Sequence, residues 1–66
     1  MTEHPTLKWF KWEHLKPEQQ GVSKQFGLLA KALDNSLEDG PEKSVALRKL
    51  LESKDAAVRA NIIPGG

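Results

Sequence analysis

The sequence contains no cysteine, which excludes a disulfide framework and any cysteine-based zinc site. Its 2 histidines are too few to form a zinc site by themselves. A chain of 66 residues buries only about 60% of the surface that its unfolded form exposes, so a lone domain of this size is marginally stable. Self-association is the remaining usual source of stability, and we therefore expect a homo-oligomer.

Long apolar runs are also absent. No stretch approaches the ~18 consecutive apolar residues that a membrane-spanning helix needs. The opening residues, "MTEHPTLK", contain no apolar core like that of a signal peptide. The formal net charge is only +1, whereas proteins that wrap duplex DNA generally carry a strongly basic face. We expect a cytoplasmic protein with neither a membrane nor a long nucleic acid as its partner.

Catalytic and cofactor-binding motifs are missing as well. The sequence has no glycine-rich phosphate loop, no HExxH and no dinucleotide-binding fingerprint. His4 and His14 both precede the first predicted helix, where a flexible segment would position them poorly for catalysis. The adjacent carboxylates Glu38 and Asp39 lie in a predicted turn, where such residues more often cap a helix. We therefore expect no enzymatic activity, no cofactor and no metal.

Two helices account for most of the chain. Proline suits the first position of a helix, so Pro17 and Pro41 predict the two starts. In the first helix, apolar residues recur at spacings of three and four, and Phe26 lies at the centre of their stripe. The short break "SLEDGPE" before the second helix predicts an antiparallel helical hairpin. The fold class is therefore all-α.

Three segments follow from this pattern: an aromatic N-terminal segment at 1–15, the hairpin at 16–61 and a flexible tail at 62–66. Val45 and Ala56 lie on the reverse side of the second helix from its leucine stripe. Because one hairpin cannot bury apolar groups on both sides, this distribution again favours assembly with a second copy.

Two polar faces are candidate binding surfaces. On the first helix, Lys24 and Lys31 flank Gly27, where another backbone or a ligand could approach closely. On the second helix, Ser44 and Arg48 lie along one flank of the leucine stripe. Taken alone, both patterns are more typical of solvated helix faces than of ligand sites.

The aromatic residues show an uneven distribution. Three of the four precede the first helix, in "WFKWEHLKPEQQ" at 9–20, where two lysines and a histidine accompany them. One interpretation is that all three cover the open side of the hairpin as a hydrophobic clamp. The other is that some of them close a pocket with a neighbouring copy, offering aromatic faces beside lysines.

Two stretches resemble a known family. Residues 40–60, "GPEKSVALRKLLESKDAAVRA", and residues 10–19, "FKWEHLKPEQ", resemble the two landmarks of the phage anti-CBASS and anti-Thoeris cyclic-nucleotide sponges. The resemblance implies helical hairpins assembled into a compact oligomer, typically a hexamer, in the cytoplasm of a host cell. It also implies that the protein binds cyclic di- or trinucleotides of bacterial anti-phage signalling and hides them from their effectors, without turnover.

The resemblance also implies ligand-binding residues. Trp12 stands where the family usually has a base-stacking tyrosine. The basic residue that the family carries within the first helix aligns with Gly27, so its phosphate contact passes to Lys24 or Lys31, with Lys24 favoured. Phe10 and Trp9 are expected to pack. The ligand-binding residues implied in this way are Trp12, Lys24, Lys43, Ser44 and Arg48.

Two other function classes remain open. One is a small helical oligomeric adaptor or regulatory protein-interaction module, whose aromatic segment docks on a larger protein. The other is a helix-turn-helix DNA-binding protein, which the near-neutral charge disfavours. Binding of a small cyclic nucleotide by the purified protein would separate the sponge from both.

Overall fold

The computed structural model describes residues 4–62, where all regular secondary structure is helical. A short 3₁₀ helix at Pro5–Phe10 precedes two long helices, α1 at Pro17–Ser36 and α2 at Pro41–Ile62. The predicted all-α fold is confirmed, and both helices begin at the expected prolines. The 3₁₀ helix is an addition to the prediction, since the sequence pattern indicates only that an aromatic segment precedes the first helix.

Contacts at both ends of the long helices show that they run antiparallel. At one end, the Nζ of Lys43 donates a hydrogen bond to the carbonyl oxygen of Asp34 at 2.8 Å. At the other end, the side-chain amide of Asn61 donates to the carbonyl oxygen of Glu18 at 3.3 Å. The connection between them includes Gly40, whose φ of +157° is a conformation that other residues rarely adopt.

The core lies where the 3₁₀ helix crosses the hairpin. Its buried apolar side chains are Leu7, Phe10, Ala30 and Leu47. Four half-buried side chains pack against them: Phe26, Leu33, Leu50 and Leu51. The N-terminal segment is therefore part of the folded unit, because it covers the hairpin face on which Ala30 and Leu47 become fully buried.

The expectation that both Phe10 and Trp9 pack is half right. Phe10 is only 3% exposed, whereas Trp9 is 59% exposed. The two side chains are adjacent in a 3₁₀ helix, which has about three residues per turn, so they point in different directions. Phe10 therefore belongs to the core, whereas most of the Trp9 side chain stays exposed.

The second helix extends into the predicted flexible tail. Ile62, which the sequence pattern places in the flexible tail, is the last residue of α2, so the helix continues one residue further than predicted. The remainder of that tail, 63–66, and the first residues of the aromatic segment, 1–3, lie outside the described residues. Between residues 4 and 62, no helix is long and apolar enough to cross a membrane.

Candidate functional site

Trp12 lies directly over Gly27 of α1. A Cβ atom at Gly27 would lie 2.8 Å from the carbonyl oxygen of Phe10 and even closer to the indole ring of Trp12. Real Cβ atoms essentially never approach other atoms this closely. Gly27 is therefore the residue that allows the end of the aromatic segment to contact α1, and it is buried beneath that segment.

The turn that carries Trp12 is held by hydrogen bonds. The backbone N–H of Leu15 donates to the carbonyl oxygen of Trp12 at 3.0 Å. The side-chain amide of Gln20 donates to the carbonyl oxygen of Leu15 at 2.8 Å and to that of Glu13 at 3.4 Å. Gln20 belongs to the first turn of α1, so this side chain ties the turn to the helix.

A cleft of about 120 Å³ opens beside this turn, and we call it the Trp12 cleft. The Nζ of Lys31 lies 5.5 Å from the centroid of the Trp12 ring, within the usual distance of a cation–π contact. The indole is half-buried. The residues that line the cleft are Leu7, Phe10, Lys11, Trp12, Glu13, Gly27 and Lys31.

One carboxylate accompanies the two lysines of the Trp12 cleft. The backbone N–H of Trp12 donates to the Oε1 of Glu13 at 3.3 Å. The pKa of Glu13 lies below its usual value because its own backbone N–H, the N–H of Trp12 and the charges of Lys31 and Lys11 favour the ionised form. Desolvation opposes this shift. The net effect of these contacts is to favour the ionised form of Glu13.

Lys24, the favoured phosphate ligand, is exposed and does not line the Trp12 cleft. Lys31, the other candidate, does line it. Lys31 follows Gly27 by four residues, about one helical turn, so both lie beneath the same part of the aromatic segment. Within one chain, Lys31 is thus the lysine of α1 that accompanies Trp12. A phosphate contact by Lys24 stays a prediction.

Lys43 is buried at the turn between the helices. Its Nζ lies 2.9 Å from the Oδ1 of Asp34 and 3.0 Å from that of Asp39, in addition to its bond with the Asp34 carbonyl oxygen. These contacts raise the pKa of Lys43 and lower that of Asp34. An ammonium group has three donors. Within one chain, Lys43 has none left for a phosphate.

Ser44 is joined to the start of the 3₁₀ helix. Its Oγ lies 3.0 Å from the Nε2 of His4. The other ring nitrogen of His4, Nδ1, accepts the backbone N–H of Thr6 at 3.2 Å and so caps the 3₁₀ helix. Because Nδ1 accepts, the proton of the neutral ring lies on Nε2, which donates to Ser44. Ser44 therefore holds the N-terminal segment against α2.

Arg48 belongs to a different cleft, which we call the Trp9 cleft. This cleft of about 140 Å³ is lined by Thr6, Trp9, Arg48 and Leu51. The Nζ of Lys8 lies 5.1 Å from the centroid of the Trp9 ring. The five candidate residues are therefore not brought together in one chain, since only Trp12 lines the Trp12 cleft.

Sequence reasoning missed three polar residues of the Trp12 cleft and its support: Lys11, Glu13 and Gln20. Lys11 and Glu13 flank Trp12 directly, so their proximity to Trp12 could have been inferred from the sequence. Their contacts depend on the fold of the turn, which no helical or strand period predicts. Gln20 looks like an ordinary polar residue of a first helical turn.

Among residues 4–62, no three histidine, aspartate or glutamate side chains form a group that could hold a metal ion. Comparisons of the chain with protein-family models, curated proteins and solved structures found no significant match.

Proposed function

We propose that this chain is a phage immune-evasion protein that binds and sequesters a cyclic di- or trinucleotide of bacterial anti-phage signalling, without catalysis. The observation that carries the proposal is the Trp12 cleft, where an accessible part of an indole ring lies beside Lys11 and Lys31. The resemblance of residues 10–19 and 40–60 to the cyclic-nucleotide sponges also supports it.

The chemistry of the cleft suits such a ligand. A nucleobase stacked on an aromatic side chain gains about 1–3 kcal/mol whatever the base. The phosphodiester groups of a cyclic oligonucleotide carry negative charge, which Lys11 and Lys31 would neutralise. Sequestration requires binding alone, so the site needs no general base or nucleophile.

The size of the cleft favours assembly. Pockets that enclose a small molecule usually measure about 300–1,000 Å³, whereas the Trp12 cleft measures about 120 Å³. One chain therefore covers only part of a cyclic dinucleotide, and a neighbouring copy completes the pocket. Leu28, which follows Gly27, is 52% exposed, and Val45 on α2 is 47% exposed. These side chains offer apolar surface for a homo-oligomer, with a hexamer preferred.

The ligand-binding residues outside the Trp12 cleft fit the same arrangement. Lys24, Ser44 and Arg48 are exposed in one chain, so a neighbouring copy would bring them to the ligand. Lys43 is the exception, because its buried ammonium group already has three oxygen partners. We therefore assign Lys43 to the stability of the turn.

A panel of cyclic di- and trinucleotides tests the proposal. A ligand present at 100 times its Kd stabilises the folded state by about 2.7 kcal/mol, which a thermal-shift measurement detects. We expect at least one member to do so with the parent protein. Light scattering should give an oligomeric mass, and a monomeric mass at micromolar concentration would contradict the proposed assembly.

The two tryptophans provide a matched pair of variants. Trp12→Ala should weaken cyclic-nucleotide binding about tenfold or more, because loss of base stacking costs about 1–3 kcal/mol. Trp9→Ala removes an equal ring from outside the cleft and should bind within about threefold of the parent. Calorimetric titrations should use variants that retain the parent's oligomeric mass. Equal losses in both variants would place the ligand elsewhere.

The second candidate is a protein-interaction module, and the Trp9 cleft favours it. Trp9 is 59% exposed beside Arg48, and both residue types are enriched in binding hot spots of protein interfaces. An oligomer that binds no member of the cyclic-nucleotide panel would favour this alternative.

A further inference from the structure

The Trp12 cleft contains a negatively charged group of its own. Glu13 lines it together with Lys11 and Lys31, and its Oε1 accepts the backbone N–H of Trp12 at 3.3 Å. An N–H group and two ammonium groups are the donors that a bound phosphate would use. In the ligand-free chain, the Glu13 carboxylate takes the N–H donor itself, and the charges of Lys31 and Lys11 attract it from a longer distance.

We propose that the Trp12 cleft is an anion-binding site occupied by the Glu13 carboxylate, and that a phosphate group binds there by displacing this side chain. The identity of the natural ligand rests on the proposed function. The anion site itself rests on the contacts of Glu13 and can be tested with an inorganic ion.

A phosphate can bind the N–H of Trp12 only if the Glu13 carboxylate leaves, for reasons of charge and of the number of hydrogens available. The N–H of Trp12 has one hydrogen, which serves one well-aligned acceptor at a time. A phosphate at the same N–H would stand against the Glu13 carboxylate, and like charges within a few ångströms repel even in water. The lowered pKa of Glu13 is consistent with this arrangement: its own backbone N–H contributes most, and the N–H of Trp12 and the charges of Lys31 and Lys11 act in the same direction.

The turn is built so that the Glu13 side chain can leave. Glu13 is exposed, so its carboxylate can rotate into solvent. The backbone does not depend on that carboxylate, since Gln20 holds the carbonyl oxygens of Glu13 and Leu15. The N–H of Trp12 would therefore stay in place for the incoming phosphate.

Inorganic pyrophosphate is the probe. It should be titrated into the parent, Glu13→Gln and Glu13→Ala, with backbone amide and indole NMR signals as the readout. Removal of the competing charge should tighten pyrophosphate binding about fivefold to tenfold in both variants. Glu38→Gln, which removes the same charge from the exposed connection between the helices, is the control and should change the affinity less than about twofold.

An NMR titration without any ligand tests directly whether the Glu13 carboxylate occupies the anion site. In the parent, the amide signal of Trp12 should shift as Glu13 titrates, with a midpoint below the ordinary glutamate value of 4.5. The Glu13→Ala variant should lose this shift, while Glu38→Gln should keep it. If the Trp12 amide signal did not follow the titration of Glu13, the Glu13 carboxylate would not occupy the site.

The outcomes separate this inference from the proposed function. If Glu13→Gln binds pyrophosphate no more tightly than Glu38→Gln does, or if pyrophosphate leaves the Trp12 signals unmoved in every variant, the anion site is wrong. If the Glu13 variants gain affinity for pyrophosphate but no cyclic nucleotide binds, the anion site stands and the proposed function fails. Unchanged melting temperatures would show that none of the variants acts through unfolding.

Discussion

Lysine plays different roles in two regions of this protein. At the turn between the helices, the side chain of Lys43 is 5% exposed, and its Nζ is held by Asp34 and Asp39. In the Trp12 cleft, Lys31 is exposed and lies 5.5 Å from an aromatic ring centroid. The first lysine stabilises the fold, while the second is accessible to a ligand. The residue type alone does not distinguish these roles.

The number of hydrogen-bond partners explains the difference between the two lysines. The ammonium group at the turn has an oxygen partner for each of its three donors. Its buried position makes those partners necessary, because an unpaired charge out of water is costly. In the Trp12 cleft, the aromatic ring leaves the donors of Lys31 available, and the exposed position keeps them hydrated.

Replacement of Lys43 should destabilise the turn region and produce the largest fall in melting temperature. Lys43→Met keeps most of the side-chain volume but removes the cation that pairs with Asp34, whose side chain is only 12% exposed. Because a poorly hydrated carboxylate that loses its cation destabilises strongly, we expect the melting temperature to fall by about 10 °C or more. Lys31→Met is the matched control in the cleft and should shift it by less than about 3 °C. Thermal unfolding followed by circular dichroism provides the measurement.

The pH dependence of unfolding sharpens this test. The pKa of Asp34 is lowered in the folded state, so its contribution is present above the ordinary value of 3.8 and is lost as the pH falls below it. The pKa of Lys43 is raised, so its contribution is present below 10.5 and is lost as the pH rises above that value. Lys43→Met should lose the alkaline dependence and weaken the acid one, which the backbone N–H of His4 also supports. A variant as pH-sensitive as the parent would contradict the pairing.

Two glycines of α1 test the close contact under the Trp12 cleft. A Cβ atom added at Gly21 would have no other atom within 4 Å, whereas the same atom at Gly27 would meet Trp12 and Phe10. Gly21→Ala should raise the free energy of unfolding by about 0.5–1 kcal/mol, as expected for a helix interior. Gly27→Ala should lower it by about 1–3 kcal/mol, because the indole and a backbone carbonyl must move.

Denaturant unfolding of both glycine variants measures these changes, and Trp fluorescence reports whether the indole has moved. Stabilisation of similar size in both variants would show that Trp12 moves aside without cost. The placement of the aromatic segment on α1 would then be weaker than the contacts imply.

The helices could be predicted from the sequence because their signals are local. Pro17 and Pro41 define the starts through their own geometry, and the spacing of the apolar residues defines the stripes. The centre of the core was less accessible. Phe26, expected there, is half-buried, while Ala30 and Leu47 are fully buried. This difference depends on where the 3₁₀ helix crosses the hairpin, which no local pattern encodes.

The candidate site was predicted only in part, for a similar reason. Trp12 was indicated by the family resemblance, and the possibility of a close approach at Gly27 followed from residue type and helical position. The partners of Lys43 could not be inferred, because Asp34 and Asp39 come into contact with it only after the chain has turned. The separation of Arg48 from Trp12 likewise follows from the path of the 3₁₀ helix, which places Trp9 beside Arg48.

Lys24 and Lys31 provide the smallest and most discriminating comparison. Both are exposed lysines of α1, so either substitution by alanine removes the same charge from the same helix. A lysine that contacts phosphate strengthens binding most at low salt, because added ions screen the attraction.

Because Lys31 lines the Trp12 cleft, Lys31→Ala should weaken cyclic-nucleotide binding about threefold to fivefold at low salt and reduce the salt dependence of the affinity. Lys24→Ala should change both less, unless a neighbouring copy brings Lys24 to the ligand. Calorimetric titrations at two salt concentrations, on variants that retain the parent's oligomeric mass, measure both quantities. A larger loss of salt dependence in Lys24→Ala would transfer the phosphate contact to Lys24 and would show that the pocket is completed across two copies.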